Sequence, residues 1–428
     1  MSIVLKNSKL VDGSNVDIKF GEGLIQEIGS DLSGDEVFDL KGNLVIPGLV
    51  DLHTHLREPG REDSETVATG SLAAVRGGYT AISPMANTTP VADTAGVVEQ
   101  VFMLGKEAGL CDVFPIGAVT QGLEGLKLAE LGAMNSSRAS VRIFSDDGKC
   151  VFDPLLMRRA LEYVKSFDGI IAQHAQEPRL TAGSQMNEGI ISSQLGLTGW
   201  PAVAEEAIIA RDILLAEHVD SRLHVCHLTT AGGVELVRAA KARGVKVTAE
   251  VTPHHLLLTD DLVVGYNPVY KVNPPLRTQK DMLALRAGLA DGTIDIVATD
   301  HAPHPSEDKD CEWQAAAFGM LGLETALSVV VASMIETNLM SWADLVDRMS
   351  LAPARIAGYA NQGIGIKVGQ VANLVVIDAS AKWTVDRNRM ASKSKNTPFH
   401  DMKLPARVLK TYFQGKLVHE MATDGSAN

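Results

Sequence analysis

The chain has 428 residues, 45% of them hydrophobic, and a formal net charge of −13 at pH 7. That length exceeds one small core and predicts a large domain with a smaller companion. The acidic balance argues against non-specific attraction to nucleic acid or anionic lipid.

No apolar run is long enough to span a bilayer, and MSIVLKNSKL lacks the basic-then-apolar layout of a leader. The cysteines, Cys111, Cys150, Cys226 and Cys311, show no C-x-x-C spacing and read as free thiols of a cytoplasmic protein. In chain order, SIVLKN, NVDIKF, LIQEIG and EVFDL alternate apolar and polar residues between DG, GEG and SGD, which predicts a β-meander. From 47 to 367, strand-like apolar runs alternate with Ala-rich amphipathic stretches, the pattern of βα units around a parallel sheet. Eight strands are expected, at 44–53, 79–85, 112–119, 140–145, 169–174, 222–227, 245–252 and 294–299. Helices fall between them, for example at 153–166, 202–217 and 231–243, with Gly77, Gly78, Gly109 and Gly244 placed as C-caps. Eight such units predict an α/β fold of the TIM (β/α)8 type. No G-x-G-x-x-G follows the first strand, so dinucleotide binding has no support. After about residue 367 the β texture returns in QVANLVVIDA, KWTV and the hairpin-like RVLKTYFQGKLVHE. Neither end has strands enough to bury a face alone. Residues 1–46 and 368–428 are therefore expected to combine into a small composite β-sandwich domain beside the barrel at 47–367.

A barrel of this kind carries its active site at the C-terminal ends of the strands. The first strand ends in His53 and His55, Asn87 follows the second, and the fourth runs into Asp146 and Asp147. The fifth ends in His174, the sixth in His227 and the eighth in Asp300. His53 and His55 are two apart and face one side of a strand; buried without partners, two imidazoles would cost free energy. His224 is an odd number of residues from His227, faces the other way on a regular strand, and reads as a packing histidine. Neither His254 nor His255 receives a ligand role. Four histidines and two aspartates with no cysteine suit zinc or a similar divalent ion in a hydrolytic site. Six ligands exceed the needs of one four-coordinate zinc and suit a pair sharing a bridging carboxylate.

DLHTHLREP and ATDHAPHPSEDK resemble the two signature segments of dihydroorotases in the amidohydrolase superfamily. FSDDG, HAQEP, HVCHLTT, KVNPPLR and AFGMLGLET resemble further landmarks of the class I bacterial type, in order from about residue 44 to about residue 367. The resemblance implies that His53, His55 and Asp300 bind one metal, that His174 and His227 bind the second, and that Asp147 bridges them. Related hydantoinases bridge with a carboxylated lysine, which makes Lys149 the runner-up, while Asp146 faces away, either capping backbone or supporting the site from behind. By the same resemblance Arg57, Asn87 and His304 hold a substrate carboxylate, Asn273 and the backbone around Phe318 and Gly319 meet the ring, and His55 also lies against substrate. MANT stands where the family has M-P-N-T, and HAQEP where H-A-E-D is commoner; Asn87 and His174 are kept in both.

The implied activity is the reversible cyclisation of N-carbamoyl-L-aspartate to L-dihydroorotate in pyrimidine (UMP) biosynthesis, by a hydrolase of cyclic amide C–N bonds. Two Zn²⁺ per chain would activate the bridging hydroxide, with Asp300 as general acid and base. Arg57 decides the substrate class, because its fork matches a carboxylate that neutral rings lack. The rivals are a dihydropyrimidinase, hydantoinase or allantoinase, and a metal-free scaffold for aspartate carbamoyltransferase, which the filled ligand positions disfavour. The expected partner is the small-molecule substrate, with no nucleic acid and no membrane. The resemblance adds a homodimer and an association with aspartate carbamoyltransferase. The polar segment 304–319 is either a lid that closes over substrate at 305–316 or a plain surface connection, and both readings stay open.

Overall fold

LVIPGLVDLH, expected as one strand, is two strands in two different sheets. Leu44–Pro47 belongs to the small sheet and Leu49–Thr54 opens the barrel. Gly48 makes the crossing possible, since a Cβ there would stand 2.1 Å from Thr80 Oγ1 on the next barrel strand. In this computed structural model residues 1–421 are described. The end of the expected C-terminal part, 422–428, lies outside the described residues.

The barrel strands are Leu49–Thr54, Tyr79–Pro84, Asp112–Val113, Ile143–Phe144, Ile170–Gln173, Arg222–Val225, Val247–Val251 and Ile296–Val297. They pair in parallel as a set of three and a set of five, in chain order. A bridge from Gly117 to Phe144 joins the two sets, and one from Thr54 to His301 closes the ring. The fold is thus a TIM barrel, as the alternation predicted. Val50, Leu52, Ile143, Ile170 and Ile296 cluster inside it with the helix Ala352–Ala357. Residues of the opposite parity, among them Leu49, Ile171, Leu223 and Val297, pack outward in the core shared with the surrounding helices. Burial on both faces is why these strands read as continuous apolar runs rather than alternating ones. The helices begin where local chemistry starts them. Asp153 accepts from Leu156 N ahead of Pro154–Lys165, and Thr230 from Gly233 N ahead of Ala231–Ala242.

The small domain is built from both termini, as expected. Leu44–Pro47 pairs antiparallel with Leu374–Thr384 and meets the end of Ser2–Lys9 at Lys9. Ser2–Lys9, Asn15–Gly21 and Leu24–Gly29 form the anticipated meander. The fourth run departs from it: Glu36–Asp39 pairs parallel to Ser2–Lys9. Side-chain carboxylates steer that return, with Asp17 accepting from Leu32 N and Asp35 from Ser2 N. The sheet curls until Leu24 bridges Val371, enclosing Leu5, Ile18, Phe20, Leu374 and Tyr412. Among the described residues no helix is long and apolar enough to cross a membrane.

Candidate metal centre

The strand ends bring His53, His55, Asp147, His174, His227 and Asp300 to one mouth of the barrel, all of them buried. Three residues at this mouth leave their strands through the left-handed backbone region, Arg57 (φ 62°), His227 (φ 28°) and Asp300 (φ 46°). Side chains with a Cβ rarely adopt it. The turn lets His227 and Asp300 aim inward past the strand ends, where simple parity no longer applies.

Hydrogen bonds fix which ring nitrogen of His53, His55 and His174 faces the cluster. His53 Nδ1 lies 2.5 Å from Glu250 Oε1, which only accepts, so Nδ1 carries a proton and Nε2 is the nitrogen that faces the cluster. That Nε2 is buried without a hydrogen-bond partner, 3.4 Å from Asp147 Oδ1 and 3.5 Å from Asp300 Oδ1. His55 Nδ1 donates to Asn87 Oδ1 at 2.9 Å, leaving Nε2 at 3.0 Å from Asp300 Oδ1 and 3.4 Å from Asp147 Oδ2. His174 Nε2 donates to Gln176 Oε1 at 2.7 Å. Its Nδ1 then faces His227 Nε2 at 2.8 Å, and both point at Asp147 Oδ1, at 3.3 and 3.4 Å.

Around Asp147 and Asp300, imidazole nitrogens crowd carboxylate oxygens, an arrangement that a proton or a metal cation between them stabilises. Burial opposes the charged form of His53, but Glu250, Asp147 and Asp300 outweigh it and raise its pKa well above the usual imidazole value. Burial also works against the ionised forms of Asp147 and Asp300, yet the surrounding imidazoles hold both below the usual carboxylate range. His55 is pushed the other way by burial and by Arg57, and stays neutral. His53, His55 and Asp147 form one group whose ligand atoms lie within 4.8 Å of one another; Asp147, His174 and His227 form a second. The donor set fits a pair of divalent cations sharing Asp147. A third grouping, His53 with Cys226 and Glu250, is of another kind. Burial pushes the Cys226 thiol up to about 12, so it is no thiolate, and the Glu250 carboxylate is already engaged.

Sequence reasoning missed the residues behind the clustered histidines. Glu250 accepts from His53 Nδ1, from His224 Nε2 at 3.0 Å and from the backbone N–H of His227 at 3.1 Å. A lone acid in the apolar strand VKVTAEV was the available signal. His224 is therefore a packing histidine that also anchors this carboxylate. Gln176 orients His174 and accepts from Asn273 Nδ2 at 3.3 Å. Asp146 caps backbone as expected, accepting from Val119 N at 2.8 Å and Thr120 N at 2.9 Å. Lys149, the alternative bridge, is exposed. His255 is held by Thr252 Oγ1 and the carbonyls of Pro274 and Pro275, whereas His254 is buried with Nε2 lacking a partner.

The residues expected to meet substrate sit around the same mouth. Arg57 donates Nε to Pro303 O at 3.1 Å, and its Nη2 lies 3.3 Å from His304 Nε2. That His304 nitrogen donates to Phe318 O at 2.8 Å, and burial with Arg57 lowers the ring's pKa to about 2. That proton is the only one a neutral ring carries, so Arg57 Nη2 is the donor left to face an anion, and His304 lines the place without a free N–H. Asn87 has a duty not foreseen, holding His55, while its amide nitrogen lies 3.5 Å from Asp147 Oδ2. Asn273 keeps a buried, unpartnered Oδ1. The Phe318–Gly319 backbone is more occupied than expected: Gly319 N donates to Lys271 O, and Gly319 O accepts from Lys309 and Asn396. Gly319 must be glycine, since φ is +147° and a Cβ would lie 2.7 Å from His304 Nε2.

Residues 42–232 match a family described as dihydro-orotase-like. The dihydroorotase of Streptomyces coelicolor is 63% identical over 415 residues, covering 96% of this chain and 97% of that one. The dihydroorotase of Mycobacterium tuberculosis is 52% identical over 99% of both chains. Among solved structures, the L-hydantoinase (dihydropyrimidinase) of Arthrobacter aurescens superposes with a TM-score of 0.86 at 27% identity, covering 98% of this chain and 96% of that one. A dihydropyrimidinase from Brevibacillus agri reaches 0.83 at 22% identity, over 98% and 95%, and speaks to the fold alone.

Proposed function

The chain belongs to the dihydroorotase family, and from that premise we infer that the histidine and aspartate cluster at the barrel mouth is where its reaction occurs. The protein is a hydrolase of cyclic amide C–N bonds that interconverts N-carbamoyl-L-aspartate and L-dihydroorotate in pyrimidine biosynthesis. Its histidines and aspartates are grouped closely enough to hold metal, and we propose that metal binds there. We assign the metal as zinc, two ions per chain, with His53, His55 and Asp300 around one, His174 and His227 around the other, and Asp147 between. Bound there, the ions would supply water activation at neutral pH and polarisation of the carbonyl under attack.

The chain's own groups do the rest. Asp300 Oδ1 faces His53 and His55, so Oδ2 is the oxygen we assign to proton transfer. Held in its base form by the imidazoles, it takes a proton from the attacking water and delivers it to the departing ring nitrogen. Ring closure runs the same path backwards. Arg57 receives the substrate carboxylate, with His304, whose proton stays on Phe318 O, lining the same place; Asn87, anchored by His55, presents its amide nitrogen at this mouth. Neutral hydantoin and dihydropyrimidine rings carry no carboxylate for Arg57 to hold. Asn273 and the Phe318–Gly319 backbone then bound the ring.

The observation that carries this reading is the buried His53 Nε2, without a hydrogen-bond partner among carboxylate oxygens. The test couples metal analysis with dihydroorotate hydrolysis. We expect about two zinc ions per chain and a folded but nearly inactive Asp300→Ala. Metal-free protein with full activity would refute the assignment. We further propose a cytoplasmic homodimer that can dock with aspartate carbamoyltransferase, to be checked by light scattering alone and in mixture.

A further inference from the structure

Two buried lysines join the loops that carry Asn273, Phe318 and Gly319. Lys309 ends the short helix Ser306–Lys309 after the last barrel strand and turns inward, 5% exposed. Its ammonium donates to Lys271 O at 3.1 Å, Ala317 O at 2.9 Å and Gly319 O at 3.1 Å, which uses all three protons. Lys271 reaches the opposite way. Its own ammonium donates to Trp313 O at 2.6 Å and Gln314 O at 3.2 Å and lies 4.4 Å from the centre of the Phe318 ring. Gly319 N donates to Lys271 O at 3.0 Å, completing the stitch. The segment after the last strand and the segment leading to Asn273 are thereby fixed to each other twice, once from each side.

We propose that Lys309, with Lys271 as its reciprocal, is a positioning residue for substrate. It fixes the backbone at 317–319 and at 271–273 as one rigid wall of the pocket that receives the ring. This rests on the reading of the barrel mouth as the dihydroorotase site. Neither lysine touches the reacting atoms; each acts through the carbonyls it holds. An ammonium surrounded by carbonyl dipoles is an expensive way to fill space: burial, reinforced by Lys271, draws the Lys309 pKa down to about 7. A methionine would fill the same volume without that cost. What it could not do is hold three carbonyls around one atom. His304, which donates to Phe318 O, depends on the same segment staying in place. A wall anchored at both ends also limits how far the residues between Ser306 and Phe318 can open.

The test uses the metal-loaded enzyme. Lys309→Met should raise KM for dihydroorotate roughly tenfold or more while kcat stays within about threefold, because positioning is lost and the reacting groups are not. Zinc content should match the wild type. Lys271→Met should shift KM in the same direction, and the double variant should be no worse than the worse single, since both break one stitch. Lys309→Arg keeps the charge but spreads its donors over a planar fork, so KM should stay raised. An unchanged KM in folded Lys309→Met, a loss confined to kcat, or full recovery with arginine would each overturn the proposal. Should the variants fail to fold, hydrogen exchange of the ligand-free wild type decides: slow amides at 271–273 and 317–319 support the wall, and fast ones overturn it. A wild type inactive on dihydroorotate would refute the site reading instead, and the exchange measurement would still report on the stitch.

Discussion

Replacing Glu250 with glutamine keeps the shape behind His53 and removes the charge. In the structure Oε1 takes His53 Nδ1 at 2.5 Å and the His227 N–H at 3.1 Å, while Oε2 takes His224 Nε2 at 3.0 Å. A glutamine oxygen in the first place can keep both of its donors. Its NH2 group would then face His224 Nε2, which can become an acceptor if the ring proton moves to Nδ1 and donates to Thr248 Oγ1, 2.8 Å away. No clash is forced, so the loss is the difference between charge-assisted and neutral hydrogen bonds, about 1–2 kcal/mol. Passed to the lone pair of His53, that corresponds to roughly tenfold weaker metal binding, at the low end of the ~10–100-fold expected for such outer partners. Glu250→Ala, with no acceptor and a cavity, should exceed it. Competitive chelator titration of the apoprotein at fixed pH measures the constant, and thermal denaturation of the apo forms separates stability from affinity. A Glu250→Gln affinity within twofold of wild type, with the fold intact, would show that His53 needs no charged partner and that this reasoning fails.

Asp147→Asn should cost both metals together rather than one, since Asp147 belongs to both ligand groups; loss of a single equivalent in metal analysis would contradict its bridging place. Arg57→Met should raise KM for dihydroorotate by about two orders of magnitude, in line with losing a bidentate charged contact, and Arg57→Lys should recover only part of it. Gly319→Ala should impair substrate binding through displacement of His304, visible as a raised KM at unchanged metal content. Metal affinity should rise with pH through and above neutrality. His53 without metal holds a proton at a raised pKa, metal binding must expel it, and calorimetry in buffers of different ionisation enthalpy should detect its release at pH 7.5.

The barrel and the residues gathered at its mouth were legible because they leave local marks. Apolar runs ending in histidine or aspartate announce strand ends, and a spacing of two put His53 and His55 on one side. What sequence could not supply was partnership at long range. Glu250 looks like any acid in VTAEV until His53, from the other side of the barrel, is set against it. Gln176 reads only as a departure from a commoner pattern, and Lys309 as a surface charge in a polar segment. The division of LVIPGLVDLH was hidden for a different reason. The run LVIPGLV is apolar on both sides of the break, and only the closeness of Thr80 explains why Gly48 separates the two strands. The parallel return of Glu36–Asp39 depends on Asp17 and Asp35 reaching backbone outside their own runs, which no periodicity records.

The curled sheet has a bearing on synthesis. Leu44–Pro47 emerges early from the ribosome, yet its neighbour Leu374–Thr384 is made only after the whole barrel has been translated. Throughout that interval a short apolar edge with unpaired backbone groups stays open to any other strand it meets. Translation pauses before residue 374, or truncated products ending there, should therefore be prone to self-association, and a free peptide matching 374–384 supplied during synthesis should suppress it.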